Sequence, residues 1–254
     1  MYYKVFREDG KTLHDHNPWP LPQGDEPGAW VEVEGDIVSC KNELHVMREQ
    51  DLAYWPGLIL YEVEIDGESI EADDKVVCRR ARLIRKVETW DHRTLVTWAC
   101  DCAERTLPIF EKEYPEDKRP RDAIKITRAW LAGKATLEEV NVVADAVDAV
   151  DAAFSPRAVV NAVRRAASAT AYLASYAAAS AAFHAAFTAA TPRAASAPTY
   201  HATSAATYAA HATYHATASA AFARASADAD VACKAERAWQ SARMLECILG
   251  KTKP

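Results

Sequence analysis

Between Lys134 and Leu249 the sequence contains no glycine, and only eight glycines occur in the whole chain. Glycine is among the worst helix formers and alanine the best. Roughly two residues in five from Ala152 to Ala235 are alanine, so this half is committed to long helices that pack closely. Other absences narrow the function. No GxSxG, HExxH, P-loop or dinucleotide fingerprint occurs, so no such motif speaks for an enzyme. No segment has the 18 or more large apolar residues a spanning helix needs. The alanine runs are interrupted throughout by Ser, Thr, His and Arg. The first residues, MYYKVFREDGK, lack the apolar core of a signal peptide. The six cysteines are therefore expected to be reduced thiols of a cytoplasmic protein. Cys233 and Cys247 would share one helix about 21 Å apart, too far to bridge.

Charge is scarce in some places and lopsided in others. No carboxylate occurs between Asp151 and Asp228. The overall net charge is −6, but Met1 to Trp90 carries 19 acids against 11 Lys and Arg. Asp91 to Gly133 balances at 8 and 8, and Lys134 to Pro254 holds 9 acids and 11 bases. The N-terminal part is the acidic end, so direct nucleic-acid binding by the chain as a whole is not expected.

Five of the twelve prolines and six of the eight glycines fall before residue 90, where they punctuate short strands. Tyr2–Arg7, Trp30–Glu34, Leu58–Ile65 and Val76–Val87 read as strands, with Asp66-Gly67 as a hairpin turn. Asn42–Gln50 reads as a short helix and His14–Gly28 as an irregular proline-rich loop. Beyond it the punctuation is helical. Asp91 suits the N-cap of a helix to about Glu113, ended by Tyr114-Pro115. Pro120 opens a second helix and Gly133 closes it. Thr136 with Glu139 makes a capping box for a third, and Ser155-Pro156 opens the first alanine-rich helix. Thr191-Pro192 and Ala197-Pro198 break it. A second alanine-rich stretch, Thr199–Leu249, would be about 75 Å long as one helix, so a break is expected near Ser226–Asp230. The expected fold class is α+β, a small β-rich N-terminal domain (residues 1–88) followed by an all-α alanine-rich helical bundle (residues 89–254).

At 100° per residue, Tyr172, Tyr176, Phe183 and Phe187 fall within an arc of about 60°. Tyr200, His201, Tyr208, His211, Tyr214, His215 and Phe222 fall within about 140°. Each helix is an alanine cylinder with one aromatic stripe. Small residues let helix axes approach, and the stripe fills the remaining space as core. Tyr and His also carry polar tips suited to interfaces. Tyr200, His201, Tyr208, His211, Tyr214 and His215 are therefore the candidate binding residues. His211 and His215 have a spacing that can hold a metal on one helix face, but no acid lies near to support them. No metal, cofactor or catalytic residue is assigned. Thr203, Thr207, Thr213 and Thr217 lack the regular period of an ice-binding helix.

Other chemistry is thin. Cys100 and Cys102 point about 200° apart on a helix, so they read as buried thiols, with Asp101, Glu104 and Arg105 as a solvated or interface edge. His14, Asp15, His16 and Asp36 could compose an acid/base set, but nothing in the sequence positions them. Arg79, Arg80, Arg82, Arg85 and Lys86 form a basic run. On a strand Arg80, Arg82 and Lys86 share a face, and pairing with Glu62, Glu64, Asp73 and Asp74 is favoured over a nucleic-acid edge.

The segment WACDCAERTLPIFEKEYPEDKRPRDAIKITRAWLAGK, Trp98 to Lys134, precedes Ala/Tyr/His/Thr-rich helices that end in ERAWQSARMLECIL. Over about Thr89 to Leu249 it resembles a family of alanine-rich helical domains labelled immunity proteins, linked to bacterial toxin systems. The stretches EGDIVSCKNELHVM and LYEVEIDGE resemble small domains of unknown function in phage proteins. The resemblance implies a protein that binds another protein, a toxin or bacterial defence effector, and neutralises it by contact. An acidic N-terminal domain would suit a basic partner surface. A phage structural or assembly scaffold, self-associating as a homo-oligomer through an alanine and aromatic face, is the alternative. A third is a small-ligand binder or enzyme using the His/Tyr stripe. A membrane partner is not expected.

If the stripe is core, Tyr208→Ala with His211→Ala lowers the melting temperature; unchanged melting with lost partner binding would reject a core role.

Overall fold

The computed structural model describes residues 1–6, 11–12, 18–39, 41–55, 57, 59–143, 146 and 225–251. They divide into two compact units, Met1–Asp91 with Ser241–Lys253, and His92–Gln240.

The first unit is a barrel-like sheet of five strands, β1 (Tyr2–Phe6), β2 (Val31–Glu32), β3 (Leu44–Arg48), β4 (Ile59–Glu71) and β5 (Val76–Lys86). All pairings are antiparallel, in the order β2-β5-β3-β1-β4, and β4 pairs again with β5 to close the sheet. Closure is possible because β4 and β5 are long and carry two irregularities in register. From Asp66 to Ser69 β4 advances three residues while β5 advances two, from Arg80 to Cys78. Gly67, at φ 78°, takes the left-handed conformation such a bulge needs. From Glu62 to Val63 the inequality reverses, and Ile84 is the extra residue on β5. Bulges bend and twist a ribbon, which lets this pair wrap around a core. That core holds Phe6, Trp19, Leu44, Val46, Tyr61, Val63, Val76, Cys78, Ala81 and Leu83. Phe6 meets Trp19 and Tyr61 edge to face, at 6.0 and 5.5 Å between centroids.

Two local expectations are corrected here. Asn42–Gln50 is not a helix: β3 occupies Leu44–Arg48 and a 3-10 helix follows at Glu49–Tyr54. Leu44 and Val46 both enter the core two residues apart, a strand period that a helix would place on different sides. Asp51, 1% exposed, then accepts hydrogen bonds from the Arg48 backbone N–H and guanidinium at 3.0 and 2.7 Å, fixing the break. Asp66-Gly67 is not the hairpin turn. It forms the bulge within β4, and the chain reverses at Ala72–Lys75, where the Ala72 N–H donates to the Lys75 carbonyl at 2.9 Å.

The second unit contains α1 (His92–Glu113) and α2 (Arg119–Leu131), with a helical segment at residues 137–143. It also contains the first part of α3 (Ala225–Ile248). The sequence punctuation from Asp91 to Glu139 holds, while that at Ser155-Pro156, Thr191-Pro192 and Ala197-Pro198 lies outside the described residues. Gly133 and Lys134 donate to the carbonyls of Trp130 and Ala129 at 2.9 and 2.8 Å, the C-terminal cap expected of that glycine. Thr136 and Glu139 exchange the reciprocal bonds of a capping box. In α2 the buried residues Pro120, Ala123, Ile124, Thr127 and Leu131 repeat at helical spacing. Trp98 is fully buried and its indole N–H donates to the Gln240 carbonyl at 2.9 Å.

The expected fold class is corrected. A small barrel-like sheet is followed by helices, but the structure does not describe an all-α alanine-rich bundle, because most of the alanine-rich stretch lies outside the described residues. The end of the chain also belongs with the sheet. The Ser241 hydroxyl donates to the Gln50 carbonyl at 2.8 Å and accepts from the Ala53 N–H at 3.2 Å. Met244, Cys247 and Ile248, which follow at helical spacing, are buried. The break expected near Ser226–Asp230 is absent, since α3 runs unbroken from Ala225 to Ile248. Low propensity cost in an alanine-rich segment lets a helix continue through two aspartates.

Gly67→Ala should cost about 1–2 kcal/mol, the strain of a left-handed non-glycine residue, because a Cβ there meets nothing within 4 Å. Gly28→Ala should cost more, because its Cβ would overlap the Pro20 backbone carbonyl. Urea titration compares the two, and equal midpoints would refute the close approach. Burial pushes the Cys100 thiol up to about 12. The unfolded thiol ionises near pH 9 while the folded one stays protonated, so this group's contribution to stability should fall between about pH 9 and 12. Urea midpoints across that range should fall less steeply for Cys100→Ala than for the parent chain.

Candidate functional site

Tyr200, His201, Tyr208, His211, Tyr214 and His215 lie outside the described residues, as do His14, Asp15 and His16. Asp36 is exposed, and its backbone carbonyl accepts from the Asn42 amide at 3.0 Å. Cys100 and Cys102 are buried in α1. Burial raises both thiols, Cys102 well above the ordinary range, which removes them as thiolate nucleophiles.

The basic run on β5 is a ladder of ion pairs with β4. Arg85 bonds Glu62, Arg82 bonds Glu64, Arg80 bonds Asp66 and Arg79 bonds Glu68, at 2.7–3.0 Å. Glu62 and Glu64 were expected partners; Asp66 and Glu68 take the places assigned to Asp73 and Asp74, because the turn lies farther along the chain. The extra residue Ile84 also shifts the phase, so Arg85 rather than Lys86 joins Arg80 and Arg82 on the acid-bearing face. Arg80 and Arg82 both stack on Trp30, at 4.4 and 4.6 Å from the ring centroid.

In the second unit, α1 and α2 enclose a recess of about 490 Å³ lined by Glu104, Leu107, Pro108, Arg121, Ile124, Lys125 and Arg128. Leu107 and Ile124 are buried and make its apolar floor. Both lie on the inward stripes of their helices. The rim is charged and largely fixed. Arg128 binds Asp101 and reaches Glu104 at 2.9 Å. Burial pulls its guanidinium down, but the hydrogen bonds to Glu104 and Asp101 outweigh that and hold it above its ordinary value. Arg121 grips Glu111 at 2.5 Å, which lowers that carboxyl. Lys125 is exposed and forms no hydrogen bond or ion pair among the described residues. The recess thus combines an apolar floor, tied guanidiniums and one unengaged ammonium. It can seat an apolar side chain beside a carboxylate, and its lining holds no thiol, hydroxyl or imidazole. The sequence showed Asp101 and Glu104 three apart on one helix, the spacing that lets one arginine from a neighbouring helix hold both.

Deeper in the same unit Glu236, 4% exposed, accepts from the Arg105 guanidinium at 3.1 Å. That guanidinium stacks on Trp239 at 4.1 Å. Among the described residues no group of three or more His, Cys, Asp or Glu side chains could hold a metal ion. Among the same residues no helix is long and apolar enough to cross a membrane.

No curated protein and no solved structure matches the chain. Residues 85–171, about a third of the sequence, match the model of a family described as Imm-5 like putative immunity protein. The match begins at the end of β5, includes α1 and α2 with their recess, and lends no support to the phage resemblance of the N-terminal part. Over that segment the chain is similar to immunity proteins.

Proposed function

We propose that this chain is an immunity-type protein that neutralises a bacterial toxin or defence effector in the cytoplasm by direct contact. The match of residues 85–171 to the immunity family carries the reading. The recess on α1 and α2 lies within the matched residues, and its chemistry is that of a binding surface. An apolar floor supplies burial, while Lys125 supplies a charge that a partner carboxylate can neutralise. The stripe of Tyr200, His201, Tyr208, His211, Tyr214 and His215 is the second part of the proposed contact surface. Its residues combine large apolar area with polar tips.

The full chain used as bait in a host lysate should capture one protein near one-to-one stoichiometry, identified by mass spectrometry. Co-expression of the chain should then restore growth to cells producing that protein. Lys125→Glu should weaken the complex about tenfold or more while leaving the melting temperature unchanged. Failure to capture any protein at such stoichiometry, or capture without growth rescue, would reject the immunity reading.

A further inference from the structure

In the barrel-like unit β4 has two different halves. Ile59–Val63 pairs with β1 on one side, and the register with β5 starts at Tyr61 on the other. From Glu64 to Glu71 only β5 pairs with it, because β1 ends its register at Tyr2 opposite Val63. Among the described residues no second strand pairs with Glu64–Glu71, and at the far end the Glu71 carboxylate accepts from the Arg48 guanidinium at 2.9 Å. The Leu60 carbonyl accepts from the Val87 N–H at 2.8 Å, so it faces β5. Backbone groups two apart along a strand point the same way. Glu62, Glu64 and Asp66 therefore aim their backbone at β5, and Ile65 aims its N–H and C=O outward.

This edge has its own charge and shape. In the three ion pairs from Glu64 onward the carboxylate is more exposed than its guanidinium, whereas at Glu62 the order reverses, with Arg85 69% and Glu62 14% exposed. The side chains of Glu64, Asp66 and Glu68 are 47, 57 and 58% exposed, against 30, 36 and 28% for Arg82, Arg80 and Arg79. An approaching chain meets carboxylates first, each with lone pairs left for a second cation. Where β1 stops, a hollow of about 350 Å³ opens, lined by Met1, Tyr2, Glu62, Val63, Glu64, Ile65 and Ile84. Its lining includes the alternate, apolar residues Val63 and Ile65 of the strand.

We infer that the β4 edge from Glu64 is a docking site for an extended segment of a partner protein in which Lys or Arg alternates with apolar residues. The segment adds as a strand. Its main chain bonds the outward groups of Ile65, its basic residues lie on the acid-bearing face, and an apolar residue enters the hollow. A second copy of this chain fits poorly, because pairing β4 with itself sets carboxylates against carboxylates. The edge lies outside residues 85–171, so this inference does not depend on the immunity reading.

The test uses the full chain and a fluorescein-labelled ten-residue peptide alternating Lys with Val, followed by anisotropy, beside a control peptide with Glu in place of Lys. The Lys peptide should bind, should weaken about tenfold between low and high salt as expected of exposed charge pairs, and should slow hydrogen exchange of the Ile65 amide. Ile65→Pro, which removes the outward N–H, should abolish binding. Should that variant unfold, the isosteric set Glu64→Gln, Asp66→Asn and Glu68→Gln should weaken binding at least tenfold at unchanged melting temperature. Equal binding of the Glu peptide, protection elsewhere only, no binding of the Lys peptide, or self-association through this edge in sedimentation would overturn the inference.

Discussion

The barrel-like unit depends on the fit between β4 and β5. β5 is shared among three neighbours: β3 at Val76–Cys78, β2 at Arg80 and Ala81, and β4 along nearly its whole length. A regular ribbon could not meet all three. The bulge at Gly67 turns β4, and the bulge at Ile84 turns β5. Between them they curl the pair until β1 and β3 can bridge the gap. The core then fills from alternate positions, and even Lys4 is accommodated. It is 4% exposed, yet its ammonium donates to the His45 carbonyl at 2.8 Å and lies 5.3 Å from the Trp19 ring centroid. A buried cation survives only where such partners replace water.

The helical unit also buries polar groups, and each has a partner in place of water. Thr97 and Thr127 are buried, but each hydroxyl donates to the carbonyl four residues earlier, of Arg93 and Ala123, at 2.9 and 2.8 Å. Glu236 is buried against the Arg105 guanidinium, and Gln240 donates to it at 3.4 Å. Removing Arg105 would strand a carboxylate in the interior, which is why this contact is more consequential than the ion pairs of the exposed ladder.

Helix ends were the most legible part of the sequence, because capping is local chemistry. Gly133, Thr136 with Glu139, and the start of α1 after Asp91 all stand where the residues put them. Strands were legible in type but not in phase. Asp66-Gly67 has the composition of a turn, and only the pairing with Arg80 and Cys78 makes it a bulge, since the same left-handed glycine serves both. Leu44–Arg48 was missed because its apolar residues fit a helix until the core takes Leu44 and Val46 together. The bond between Ser241 and Gln50 joins residues 191 apart in sequence, and no local pattern announces it. The recess on α1 and α2 was half visible, as Asp101 and Glu104 on a charged edge, whereas Arg105 of that edge turns to Glu236. Arg128, the residue that organises that edge, comes from the next helix. The Tyr and His stripe stands on periodicity alone.

Charge counts mislead in this chain for a physical reason. Five basic residues within Arg79–Lys86 suggest an anion-binding strand, and the 19 acids before residue 91 suggest an acidic surface. The register reconciles them. Each arginine of the ladder is spent on a carboxylate across the strand pair, and two are further covered by Trp30. From Glu64 to Glu68 the carboxylates are the more exposed partners and keep their outer faces to solvent, whereas at the Glu62 end Arg85 is the exposed one. An ion pair between neighbouring strands does not erase the charge of a surface. It decides which sign lies outermost: where arginine folds back over Trp30, at Arg80 and Arg82, the carboxylates stand at the rim, and at Arg85 the guanidinium does.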